Sequence, residues 1–123
     1  MKKRILIEDN IGCKNYSEAK KFIELCLSEI SDKGSIEVIL GTAKCVNSIG
    51  EKFAKENSLE VIRVFPDWKM FGRGAKLKQN KEMINIADMV ICLLNEESDD
   101  LLSTIEFAKK QNKILRIKKF FTS

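Results

Sequence analysis

The feature that most constrains the fold of this chain is an uninterrupted apolar run, Met89-Val90-Ile91-Cys92-Leu93-Leu94. A strand with one face in water alternates apolar and polar residues, whereas an unbroken run predicts a strand buried on both faces. Further strands are predicted at Ile5–Ile7, Ile36–Leu40, Leu59–Phe65 and Ile114–Ile117. Strands buried on both faces are typical of parallel sheets that carry a covering layer on each side.

Segments with helical periodicity separate the predicted strands. Apolar residues recur at helical spacing within 15–30, 46–57, 83–87 and 101–108. The first helix begins with Asn15-Tyr16-Ser17-Glu18, whose spacing predicts a capping box, and Asp32-Lys33-Gly34 is expected to end it. This alternation predicts an α/β fold, a single Rossmann-like three-layer sandwich with a mostly parallel sheet of about five strands. We expect one domain over residues 1–123.

The composition fits a folded domain that prefers anionic ligands. Hydrophobic residues make up 44% and charged residues 33% of the chain, which is typical of globular rather than disordered proteins. The net charge of +4 favours anionic partners without requiring nucleic acid. No apolar run approaches the roughly 20 residues that a membrane span needs, so we expect no membrane association.

The positions of the cysteines and the absence of histidine limit the redox, catalytic and metal-binding chemistry that the chain can perform. Cys13, Cys26, Cys45 and Cys92 form no Cys-x-x-Cys pair and follow no recognisable secretion signal. We therefore expect a cytoplasmic protein with reduced, mostly structural thiols, among which Cys45 near a predicted helix N-terminus would have a lowered pKa. The absence of histidine removes the commonest general base and neutral metal ligand. The acidic segment 95–100 matches no cation-binding loop, so neither a metal nor a cofactor is predicted.

A cationic segment containing glycines follows the third predicted strand. Residues 64–80 hold the only proline and the only tryptophan, two of the six glycines, and four cations with a single acid. We predict that Pro66–Asn80 is a loop that binds an anion, together with the turn Gly41–Lys44, because ligands gather at the carboxyl ends of parallel strands. No catalytic residue is assigned. The predicted ligand-binding residues are Gly41, Thr42, Ala43, Lys44, Trp68, Gly72, Arg73, Lys76, Lys78 and Asn80.

These residues also have structural interpretations. The turn Gly41–Ala43 would be required by any fold of this class, Trp68 would serve equally as a buried anchor, and the basic segment would serve as a solvated surface.

The order of several motifs resembles a known family. Pro66-Asp67-Trp68, Phe71-Gly72, Ala75, Asn80-x-x-Met83 and Ala87-Asp88 before an apolar strand are similar to the YspA-like branch of the SLOG superfamily. That superfamily also contains the cytokinin-activating LOG enzymes and the DNA-processing protein DprA. The resemblance implies a Rossmann-like fold that binds a nucleotide or a nucleotide-derived ligand.

The chain also departs from the family pattern. Thr42, Cys45 and Asn47 stand where the family has Gly, Gly and Asp, and Gln79 replaces the arginine of an Arg-Asn pair. Asp100-Leu101 replaces a Gly-Thr pair at a predicted helix start, so an acid occupies the place where a phosphate would lie. The departures imply that the usual ligand is bound differently here, or not at all.

Three classes of function follow, and we expect binding rather than catalysis. The first is binding, sensing or sequestration of a nucleotide-derived small molecule. The first alternative is a nucleotide N-glycosidase, or phosphoribohydrolase, similar to the LOG enzymes, with Glu106 or Asp9 as the carboxylate beside the sugar. The second alternative is single-stranded nucleic-acid binding of the DprA kind, or a ligand-free interaction module. The basic stretch 109–119 permits nucleic-acid binding, which we rank last. The sequence does not decide whether the chain forms a homo-oligomer, and Phe120-Phe121 is an apolar tip that a second copy would cover.

Overall fold

The computed structural model describes residues 2–9, 15–30, 35–41, 49–66, 68–94 and 99–120. Its five strands form one parallel sheet in the order β3-β2-β1-β4-β5. The α/β Rossmann-like architecture predicted from the sequence is confirmed. The elements are, in chain order, β1 (Lys3–Asp9), α1 (Tyr16–Leu27), β2 (Ile36–Gly41), α2 (Ile49–Glu56), β3 (Glu60–Val64), α3 (Trp68–Phe71), a 3-10 turn (Gly72–Gly74), α4 (Ala75–Ile86), β4 (Met89–Leu94), α5 (Asp99–Lys110) and β5 (Ile114–Lys119).

Two apolar clusters lie on opposite faces of the sheet. One joins α1 and α2 to strand residues such as Ile5 and Ile91, and the other joins α4 and α5 to residues such as Leu6 and Val90. All residues of β4 are buried, because β4 lies between β1 and β5 and is covered on both faces. The strand predicted from the uninterrupted apolar run is therefore confirmed. Within the described residues, no helix has the length and apolar character needed to cross a membrane.

The chain reverses its direction across the sheet at β1. It passes from β1 through β2 to β3, and then α3 and α4 lead it back to β4 on the other side of β1. The carboxyl ends of β1 and β4 therefore lie side by side, while the helices that follow them, α1 and α5, pack on opposite faces. Doubly wound sheets bind their ligands at such a switch point.

Several local predictions are wrong. The segment Pro66–Asn80 is not a loop, because α3, the 3-10 turn and the first half of α4 follow one another through it. Asn15 does precede α1, but its side chain makes no capping hydrogen bond. The helix ends at Leu27, before the predicted stop at Asp32-Lys33-Gly34, and those three residues lie outside the described residues. Phe120 is buried in the cluster on the α1 and α2 face, so it is not an exposed tip, and Phe121 lies outside the described residues.

Two cysteines are buried free thiols, as predicted for structural residues. Burial raises the pKa of Cys26 to about 11 and that of Cys92 to about 12, and the nearby carboxylates of Glu29 and Glu8, respectively, add to the increase. Cys13 and Cys45, including the lowered pKa predicted for Cys45, lie outside the described residues.

The two buried thiols should resist modification in the folded protein. In a variant carrying Cys13→Ser and Cys45→Ser, Ellman's reagent near pH 8 should label neither thiol quickly, because a pKa of about 11 leaves about 0.1% thiolate. Both thiols should react promptly in denaturing guanidinium chloride. Fast labelling of the folded variant would contradict the burial of these side chains.

Candidate functional site

A carboxylate from β1 lies beneath α5 at the carboxyl edge of the sheet. The Oγ1 hydroxyl of Thr104, a residue that is 1% exposed, donates to Glu8 Oε2 at 3.2 Å. The charge of Glu8 also contributes to the raised pKa of Cys92 on β4. Glu8 therefore connects β1, β4 and α5 at the switch point, where its negative charge disfavours a phosphate.

The strand predicted from the sequence ends at Ile7, whereas β1 continues to Asp9 and so includes Glu8. The signal that would have located it is the two-residue alternation of a strand, which puts Glu8 on the same face as Leu6. Leu6 belongs to the cluster packed against α4 and α5, the face to which Thr104 also contributes.

Gln79 connects α4 to the carboxyl ends of β2 and β3. The residue is 8% exposed, and its Nε2 donates to the backbone oxygen of Val64 at 2.7 Å. A Cβ atom built on Gly41 would lie 2.9 Å from this Nε2. A side chain at position 41 would therefore require the amide of Gln79 to shift. The side-chain amide of Gln79 is thus hydrogen-bonded to the backbone of β3.

Those cations of the predicted segment whose side chains the structure describes are exposed to solvent. Arg73 lies in the 3-10 turn and Lys78 in α4, and both are exposed, as is Lys69 in α3. Gly72 connects α3 to the turn with a φ of 51°, a left-handed conformation that favours glycine. The glycine thus has a backbone role at the junction between α3 and the 3-10 turn.

Several predicted site residues lie outside what the structure describes. These are Thr42, Ala43 and Lys44, and the side chains of Trp68 and Lys76, whose backbones belong to α3 and α4. The helix α5 begins with Asp99 and Asp100, so the prediction of aspartates at its start is confirmed. Their side chains are not described.

A groove of about 280 Å³ runs along the outer face between α4 and α5. Asn80, a predicted ligand-binding residue, and Glu106, the carboxylate considered for a glycosidase, both line it. The groove is largely apolar, with Phe107 on one side, and Lys81 places its Nζ 5.7 Å from the centre of the Phe107 ring. The structure thus brings Asn80 and Glu106 together, while Gly41 and Arg73 are not part of this groove.

Among the residues that the structure describes, no group of three or more side chains is arranged to hold a metal ion. The chain was compared with protein-family models, with curated proteins and with solved structures, and none of them matched.

Proposed function

We propose that this chain is a divergent member of the YspA-like branch of the SLOG superfamily. In this proposal it binds a nucleotide or nucleotide-derived ligand at the carboxyl edge of its sheet, as a sensing or sequestering protein. The observation that supports the proposal is the switch point between β1 and β4, since ligands of doubly wound sheets bind there. The resemblance within Pro66–Met83 provides the ligand class.

The charges along this edge orient the ligand. The β1 side carries Glu8 and Asp9, whereas exposed Arg73 and Lys78 follow β3. β1 and β3 are separated by two strand spacings, about 10 Å. A phosphate is favoured beside the cations, and a sugar hydroxyl or base amine is favoured beside the carboxylates, which accept hydrogen bonds.

The proposal is tested by thermal unfolding at low salt with nucleoside monophosphates and diphosphates, ADP-ribose and cyclic nucleotides. A ligand at 100 times its Kd should add about 2.7 kcal/mol to the free energy of unfolding. A shift for one ligand class supports the proposal, and no shift for any compound contradicts it. Release of free base in the same samples would instead indicate the N-glycosidase alternative.

Removing two cations should weaken binding of the nucleotide that this screen identifies. The double variant Arg73→Ala/Lys78→Ala should lose about 2 kcal/mol of binding free energy, close to 30-fold in Kd, because charge-assisted contacts to phosphate are lost. Isothermal titration calorimetry measures the change.

The matched control is Lys21→Ala/Lys55→Ala, which removes the same charge from exposed positions on α1 and α2, on the other face of the sheet. Equal effects of the two double variants would indicate a general electrostatic influence, and an unchanged affinity in the first would exclude the cationic segment from the site.

A further inference from the structure

The groove between α4 and α5 has the dimensions of a small-molecule site. Its volume of about 280 Å³ is close to the lower end of the roughly 300–1,000 Å³ typical of such sites. Its lining extends from Leu77 to Ile84 on α4, which corresponds to about 10 Å at a rise of 1.5 Å per residue. This length suits a ligand of one or two rings or a short branched chain.

Apolar side chains form most of the groove surface. Ile84 is buried and belongs to the cluster beneath α4 and α5, and Phe107 is partly buried and packs against that cluster. Leu77, in the first turn of α4, is 52% exposed at the rim. A ligand that covers Leu77 and contacts Phe107 would remove this apolar surface from water.

The charges around the groove select an anion. Lys81 and Lys110 line it with a single acid, Glu106, so its lining carries a net charge of +1. The ammonium group of Lys81 lies over the Phe107 ring, which places a cation directly beside the apolar surface. An occupant that matches this arrangement has an apolar body and one anionic group.

We propose that this groove binds a small amphipathic anion, an aromatic or branched aliphatic carboxylate or sulfonate. The apolar body lies against Leu77, Ile84 and Phe107, and the anionic group lies beside Lys81. This proposal goes beyond the proposed nucleotide binding, and its test uses no nucleotide, so either proposal can fail without the other.

The test compares two fluorescent probes with related ring systems, 8-anilinonaphthalene-1-sulfonate and the uncharged N-phenyl-1-naphthylamine. The sulfonate should bind saturably, with one molecule per chain, and about 10-fold more tightly than the uncharged probe, because it adds a charge-assisted contact. Lys81→Gln should remove most of that difference and leave binding of the uncharged probe unchanged. Leu77→Ser, a change at an exposed position, should weaken binding of both probes.

The matched control is Lys109→Gln, which removes an exposed lysine of α5 that does not line the groove. The proposal is overturned if the two probes bind equally, if Lys109→Gln acts like Lys81→Gln, or if amide chemical-shift changes fall outside residues 77–84 and 103–110. Self-association that Leu77→Ser abolishes would also overturn it, because a second copy would then cover the groove. Near-ultraviolet circular dichroism of each variant ensures that the probes report on folded protein.

Discussion

Ile91→Ala should lower the free energy of unfolding by roughly 2–5 kcal/mol, the range observed when a buried isoleucine is truncated. Ile91 is 0% exposed, pairs with Ile7 on β1 and Arg116 on β5, and packs in the cluster on the α1 and α2 face. Strand neighbours on both sides fix the backbone of β4, so the cavity cannot close by a shift of the strand. Domains are commonly stable by only about 5–15 kcal/mol, so this loss is a large fraction of the total.

Urea denaturation followed by far-ultraviolet circular dichroism measures this change. The control is Ile117→Ala, which removes the same atoms from β5 at a position that is 39% exposed and should cost no more than about 1 kcal/mol. If Ile91→Ala leaves too little folded protein, Ile91→Val should still cost roughly 0.5–1.5 kcal/mol. Equal losses for the two alanine variants would contradict a central strand covered on both faces.

The sequence predicts β4 fully but misses the first half of α4, and the burial of their residues explains the difference. The residues of β4 are all apolar because both faces of the strand are covered, so burial alone identifies it. In α4 the inward positions of the first half are Ala75 and Gln79, while the apolar residue Leu77 faces outward. Helical periodicity therefore becomes visible only at Met83 and Ile84. The glycines before it indicated a loop, since glycine usually interrupts regular structure.

The groove between α4 and α5 could not be predicted from the sequence, because it depends on contacts between residues that are distant along the chain. Asn80 and Glu106 line one groove because α4 and α5 pack side by side on the same face of the sheet, and this follows from the strand order. No pattern in the sequence indicates the hydrogen bond from Gln79 to Val64, because this bond depends on where α4 crosses β3. Glu8 was the most predictable of the missed residues, because its alternation with Leu6 assigns it to the α5 face.

Gln79→Glu should destabilise the protein by roughly 2–4 kcal/mol near neutral pH, since it leaves a buried charge without a hydrogen-bond donor. The wild-type amide donates to the carbonyl oxygen of Val64, whereas an ionised carboxylate can only accept and would be repelled by that oxygen. The amide also lies close to Gly41, since a Cβ atom built there would be 2.9 Å from Nε2 of Gln79. Chemical denaturation of variant and wild type measures the difference.

The loss should depend on pH with a defined sign. Burial against a carbonyl oxygen raises the pKa of the introduced carboxyl group above its unfolded value of about 4.3, because the protonated form can donate to Val64. The difference from wild type should therefore be small near pH 4 and should grow as the pH rises through the raised pKa. Gln111→Glu, the same substitution at an exposed position, should cost less than about 1 kcal/mol. A loss that stays constant from pH 4 to pH 7.5, or that the control reproduces, would mean that the amide of Gln79 does not hold α4 to β3.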